Sequence, residues 1–367
     1  MLGSHQRLAT LMPAEQLRAV RQRIDAYIDA HVLRTDGVDR QVSLLWKVAG
    51  EGLQGGKLVR PAILLATAHA ARGSESHSAD EAQTEALLEA AVAIELLHGA
   101  FLLHDDVIDH DVLRRGEPNL LGRVDDFTGG EITDPQAKVR LGQAAAILIG
   151  DVMLADAHQR IGRLRVEHHV RIELLDLLSE ALTHSVEGEY ADVRYAVPGA
   201  DPSIDQVLAM SASKTAAYTI SLPILFGLAL TGTAAPRAQL SEFTHALGLA
   251  FQLQDDLLGV FGNPDEVGKD PFSDIREGKF TALVAHTRAT AFWPELAPLL
   301  GCADLTSQQG AVAIDLLERS GARAAVQDEL DHQLVRAAEL VREIAVANPA
   351  LADMLDAVVT AIAERRS

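Results

Sequence analysis

The chain has 367 residues, 48% hydrophobic and 23% charged, an ordinary globular ratio that excludes a disordered or fibrous protein. Its 52 acidic and 32 basic side chains leave a formal charge of −20, so nucleic acid or anionic membrane would bind only at a strong local basic patch. The single cysteine, Cys302, makes neither an internal disulfide nor a thiolate cluster for zinc, which is the usage of a reducing compartment.

Residues 1–7 lack the basic start and apolar core of a secretion signal, so a cytoplasmic location is expected, with residues 1–12 as a flexible tail. Alanine and leucine then dominate with helical periodicity, and period-two alternation is scarce. The pattern predicts helices over Pro13 to Val32, Arg60 to Ala71, Asp80 to His110, Leu141 to Leu164, Arg171 to Val193 and Asp205 to Leu230. Further helices are predicted over Gln239 to Val260, Ile275 to Arg288, Ser307 to Ser320, Ala322 to Val346 and Leu351 to Arg365. The breakers between them are short, so the reading is all-α and a single domain over 1–367. From Ala216 to Ala235 there are twenty residues without a charge, long enough to cross a bilayer. Because it holds Pro223, Gly227 and Gly232 and is flanked by Lys214 and Arg237, it reads as a buried helix and no membrane span is expected.

The chemistry concentrates in a few segments. Gly55-Gly56-Lys57-Leu58-Val59-Arg60-Pro61 sets two cations beside glycines that let backbone approach an anion, with Pro61 starting a helix. In Glu95 to Asp111, a helix puts Asp105 and Asp109 one turn apart on one face, which Phe101 and His98 extend. Carboxylates this close repel unless a cation lies between them, and hard oxygen donors suit Mg²⁺. A solvated acidic helix end would show the same pattern. Arg114-Arg115 come directly after, and Lys214 precedes the uncharged helix. Phe251-Gln252-Leu253-Gln254-Asp255-Asp256-Leu257-Leu258-Gly259 again ends an apolar helix in two aspartates, with Lys269 and Lys279 ten and twenty residues beyond Gly259. Each cation alone reads more readily as a surface charge than as a ligand; clustered around aspartate pairs in so acidic a chain, they read as diphosphate clamps.

In this order the motifs resemble the trans-isoprenyl diphosphate synthases, or polyprenyl synthetases, of short-chain type. They run through Gly-Gly-Lys-x-x-Arg-Pro, Glu-Leu-Leu-His, His-Asp-Asp-Val-Ile-Asp, Gly150-Asp151, Ser213-Lys214-Thr215, Phe-Gln-x-x-Asp-Asp and Glu277-Gly278-Lys279. The resemblance implies the isoprenoid synthase fold, a bundle of about a dozen helices around a central cavity, and a homodimer. It implies a head-to-tail prenyltransferase that joins isopentenyl diphosphate to allylic diphosphates with Mg²⁺, three ions per active site. Carried over, Asp105, Asp106 and Asp109 hold Mg²⁺ against the allylic diphosphate and Asp255 holds a further ion. Lys214, Arg114 and Lys269 contact that diphosphate, while Lys57, Arg60, His98 and Arg115 bind isopentenyl diphosphate. Gln252 and Asp256 stand behind them. The metal neutralises the leaving diphosphate, the allylic carbon–oxygen bond ionises, the double bond of isopentenyl diphosphate attacks, and released diphosphate is a plausible base.

The sequence departs from the family pattern at Gly259, where a third aspartate is expected, at Asn119 for threonine, at Glu189 for glutamine, and in a long polar stretch from Asp125 to Ala137. Phe101, one turn before Asp105, and the small Ala100 beside it predict a short product of fifteen or twenty carbons, with geranylgeranyl diphosphate preferred. The rivals are a farnesyl or longer-chain synthase, a class I terpene cyclase, disfavoured by Asp255-Asp256 and 4% aromatic residues, and an inactive partner subunit.

Overall fold

The computed structural model describes residues 14–54, 56–72, 81–114, 116–197, 199–234, 236–263 and 270–364. The expected N-terminal tail, Arg115 and Lys269 lie outside them. The chain forms two compact units, one holding residues up to Leu177 with Pro223–Thr233, the other Leu178–Leu222 with everything from Ala234 onward. Among the described residues both are helical, apart from one two-stranded hairpin.

The first unit opens with α1 (Ala14–Asp36), α2 (Arg40–Gln54), α3 (Val59–Arg72) and α4 (Glu81–Ile108). The hairpin comes next, β1 (Leu113–Arg114) antiparallel to β2 (Glu117–Pro118), and then α5 (Val124–Thr128) and α6 (Pro135–Gly162). The spine is α4, where Ala90, Ala91, Val92, Ala93, Ile94, Leu96 and Leu97 are all at most 1% exposed. Small side chains let helices approach on every side, and each large one fully buried here stabilises by about 1.5–3 kcal/mol. Its longest contact is with α6. Asp134 starts α6 by accepting from the N–H groups of Gln136 and Ala137, with Pro135 in the first turn. That cap places the start six residues before the predicted one and makes an ordered turn of the stretch from Asp125.

The pattern had no helix over 40–54. Asp39 caps α2 by accepting from Gln41 N–H at 2.9 Å. Gly50 and Gly52 hide this helix from propensity, yet Gly50 is there for packing: a Cβ would stand 2.5 Å from Ile28 Cγ2 of α1.

α7 (His168–Ala196) begins in the first unit and continues in the second. In the second unit, Ser203 and Gln206 form a capping box that starts α8 (Ile204–Ala216). A π-helical turn, Ala217–Ser221, comes after it, and then α9 (Leu222–Thr231), which lies in the first unit from Pro223 on. The uncharged stretch is the interior piece the sequence suggested: Leu222, Ile224, Phe226, Leu228 and Leu230 of α9 are buried. Two helical stretches, Glu81–Ile108 and Ile204–Thr231, are long and apolar enough to span a membrane, and both are mostly buried within the protein.

The core of the second unit is α10 (Arg237–Phe261) packed along α15 (Ala322–Ala345) and α8. Around it stand α11 (Ser273–Glu277), α12 (Ala282–Arg288), α13 (Trp293–Leu296), α14 (Ser307–Arg319) and α16 (Pro349–Ala363). The single helix predicted over Ile275 to Arg288 is two. Gly278 sits at φ +74°, which a side chain adopts only with strain, and presses against Gly301, whose Cα would be 3.1 Å from a Cβ there.

Candidate active site

The first aspartates end α4. Asp109 N–H donates to the Asp105 carbonyl at 2.8 Å, so the two lie one turn apart, both half-buried. Asp106 does not share their face: adjacent helical residues point about 100° apart, and this carboxylate is 2% exposed. His110 takes a left-handed φ of +58° and Asp111 N–H closes on the Asp106 carbonyl at 3.0 Å, which turns the chain into the hairpin. The hairpin carries Arg114 back to Asp106, where its Nε and Nη2 donate to Oδ1 at 3.0 and 2.5 Å. Burial pushes the Asp106 carboxyl up to about 6, with Arg114 pulling the other way. Asn119, where threonine was expected, braces the turn: its Nδ2 donates to the Asp111 carbonyl at 2.8 Å and its Oδ1 accepts from Leu121 N–H at 3.0 Å.

The neighbouring motifs support this end of α4. His104 lies on Gly150, where a Cβ would stand 2.4 Å from Nε2, and that nitrogen is 3.5 Å from Asp151 Oδ1. His98 and Phe101 are half-buried, whereas Ala100 is fully enclosed. Glu95, 3% exposed, meets the glycine loop, its Oε1 being 3.0 Å from where a Gly56 Cβ would stand. Beyond Gly56, Lys57 is exposed, Leu58 is buried in a left-handed conformation at φ +52°, and Arg60 lies in the first turn of α3. A helix start with two cations alongside suits an anion.

In the second unit, Gly188 lets α7 and α8 meet backbone to backbone, since a Cβ would come 2.4 Å from Lys214 N. That contact sets Lys214 Nζ between Glu189 Oε2 at 2.7 Å and Asp192 Oδ2 at 2.8 Å. A relay runs from Thr215 Oγ1 to Gln252 Oε1 at 2.6 Å and from Gln252 Nε2 to Asp256 Oδ1 at 2.8 Å. Asp256 is 6% exposed; burial pushes its carboxyl up to about 8, against the Gln252 hydrogen bond and with help from Asp274, Asp255 and Asp192. Asp255, half-buried, is the outward member of the pair. At Gly259, Asp274 Oδ2 lies 3.4 Å from where a Cβ would stand, so a carboxylate reaches this place from α11.

Sequence reasoning missed Asp274, Glu95 as the wall of the glycine loop, and the Glu189–Lys214 pair; the spacing of Glu189 and Asp192 three apart on a helix was the available signal. Among the described residues no three His, Cys, Asp or Glu side chains form a closed cage. Open carboxylate pairs suit Mg²⁺, which takes one or two protein oxygens and completes its shell with water and phosphate.

The polyprenyl synthetase family model matches residues 43–303. A short chain isoprenyl diphosphate synthase of Methanocaldococcus jannaschii is 30% identical over 269 residues, 72% of this chain and 73% of that protein. The (2E,6E)-farnesyl diphosphate synthase of Mycobacterium tuberculosis is 30% identical over 309 residues, 82% of this chain and 77% of that one. Among solved structures, a geranylgeranyl pyrophosphate synthase from Corynebacterium glutamicum, complexed with isoprenyl diphosphate and magnesium, superposes with a TM-score of 0.84 at 26% identity, covering 96% of this chain and 99% of that one. A match of that extent, over a helical fold that carries the motifs in family order, has one reading: the chain belongs to the polyprenyl synthetase family.

Proposed function

We propose that this member of the family is a magnesium-dependent synthase that joins isopentenyl diphosphate head to tail to allylic diphosphates and stops at twenty carbons, as a homodimer. The observation that carries the reading is the division of labour at the end of α4. Asp105 and Asp109 are stacked one turn apart on one face, and Asp106 is turned inward to hold Arg114. Asp105 and Asp109 make the Mg²⁺ donors of this turn, and Asp255 makes those of α10; three ions are proposed in all. Bound Mg²⁺ supplies the charge neutralisation that a leaving diphosphate needs.

The remaining work falls to the chain's own residues. Arg114, fixed by Asp106, and Lys214, fixed by Glu189 and Asp192, orient the allylic diphosphate together with Lys269. Lys57, Arg60, His98 and Arg115 take isopentenyl diphosphate. Asp256, buried and hydrogen-bonded by Gln252 Nε2, stands behind Asp255. Phe101, one turn before Asp105 on the same helix, limits the product tail. The homodimer is supported by α6, whose second face, Leu141, Leu148 and Val152, is apolar and exposed at helical spacing.

Pure protein incubated with isopentenyl diphosphate and dimethylallyl, geranyl or farnesyl diphosphate, with and without Mg²⁺, tests the whole reading. The expected result is Mg²⁺-dependent condensation ending at twenty carbons; no condensation with any primer would overturn it.

A further inference from the structure

Lys57 and Arg60 come directly after the C-terminus of α2, where carbonyl oxygens present the negative end of a helix. A diphosphate approaching these cations would meet those oxygens too. The structure answers with one guanidinium. Arg21 of α1 donates from Nη1 to the Gln54 carbonyl at 2.5 Å and from Nη2 to the Gly56 carbonyl at 2.7 Å. One turn further along α1, Asp25 Oδ1 accepts from Gln54 Nε2 at 3.1 Å, so α1 holds both the backbone and the side chain of the last residue of α2. Gly56 N–H donates to the Leu53 carbonyl at 3.2 Å, which engages both backbone polar groups of Gly56. Between this clamp and α3, Leu58 is buried in its left-handed conformation, a strained state that persists only where the surroundings fix it.

We propose that Arg21 is the positioning residue of the isopentenyl diphosphate site. Its planar fork ties the carbonyls of Gln54 and Gly56 together, fixes the segment that presents Lys57 and Arg60, and cancels the negative end of α2 beneath the incoming anion. The inference rests on the assignment of Lys57 and Arg60 to isopentenyl diphosphate made above. Arginine serves better than lysine, because the two acceptors need two donors held in one plane, and the lysine ammonium is a point charge.

Steady-state kinetics of Arg21→Ala and Arg21→Lys, with amide hydrogen exchange over 56–60, test it. For Arg21→Ala, KM for isopentenyl diphosphate should rise about tenfold, the loss of a charge-assisted hydrogen bond, while kcat and KM for the allylic primer stay within about twofold. Arg21→Lys should fall between Arg21→Ala and the parent, and exchange over 56–60 should quicken in both variants. The proposal is overturned by an unchanged KM for isopentenyl diphosphate, by an equal rise in both KM values, or by unchanged exchange over 56–60. Loss of folding in Arg21→Ala that Arg21→Lys does not reverse would also overturn it. Lys57→Ala with unchanged KM for isopentenyl diphosphate would instead refute the substrate assignment, and the exchange measurement would still decide whether Arg21 holds the segment.

Discussion

Restoring the aspartate that the second motif lacks should weaken the metal-free protein. A Cβ at residue 259 would stand 3.4 Å from Asp274 Oδ2, ordinary contact, so Gly259→Ala fits and should gain up to about 1 kcal/mol from helix propensity. Gly259→Asp would bring a second carboxylate within about 4 Å of Asp274, where like charges repel by ~1 kcal/mol in water and ~4 kcal/mol at an effective dielectric of about 20. Both residues are half-buried, so a penalty of about 1–2 kcal/mol relative to Gly259→Ala is expected. Urea titrations of the parent and both variants at low salt, repeated with Mg²⁺ and at high salt, would measure it. Divalent ion should remove most of the gap, and salt part of it. Equal midpoints for the two variants at low salt without divalent ion would refute the claim that the Asp274 carboxylate already occupies this place.

Other expectations rest on the same geometry. Asp105→Asn and Asp109→Asn should each lower kcat/KM by about a hundredfold or more and weaken Mg²⁺ dependence, while Asp106→Asn should act through loosened Arg114 and spare Mg²⁺ affinity; three identical Mg²⁺ titrations would contradict this. Phe101→Ala should lengthen the product, and an unchanged length would remove Phe101 as its limit. Gly188→Ala forces a methyl against the Lys214 backbone and should cost about 1–3 kcal/mol while displacing Lys214, so an unaltered urea midpoint would argue against the close crossing. Burial, then the nearby Arg34, hold His31 below the ordinary histidine value despite Asp156. The unfolded chain therefore binds its proton more readily, and the stability from the neutral ring is full above about pH 6.5 and lost as pH falls below that. His31→Gln should flatten the fall in Tm toward acid, and parallel falls in the two proteins would contradict this.

The sequence made the long helices readable because their apolar periodicity and their caps agree, as with Ser203 and Gln206 before α8. It obscured α2, because Gly50 and Gly52 weaken local propensity and only the Ile28 contact, more than twenty residues away, explains Gly50. It merged α11 with α12, because a glycine inside a helical pattern does not announce a positive φ. At the site, residue types and spacing pointed to the aspartates and cations proposed above as its ligands. Which aspartate turns inward was not readable, since that depends on the hairpin returning Arg114 to Asp106. Asp274 and Arg21 were equally hidden: an arginine on one helix meeting carbonyls at the end of another leaves no trace in side-chain spacing.

The alanine-rich spine of α4 also bears on how such a protein could diversify. From Ala90 to Leu97 the helix is enclosed on every side, so it has no face on which sequence can drift without repacking several neighbours at once. Its last three turns are different, with Phe101 half-buried one turn before Asp105 and so less tightly enclosed than the stem. Mutational libraries along α4 should therefore find the stem intolerant through packing and the aspartates intolerant through chemistry, with changes of product arising at Phe101 between them.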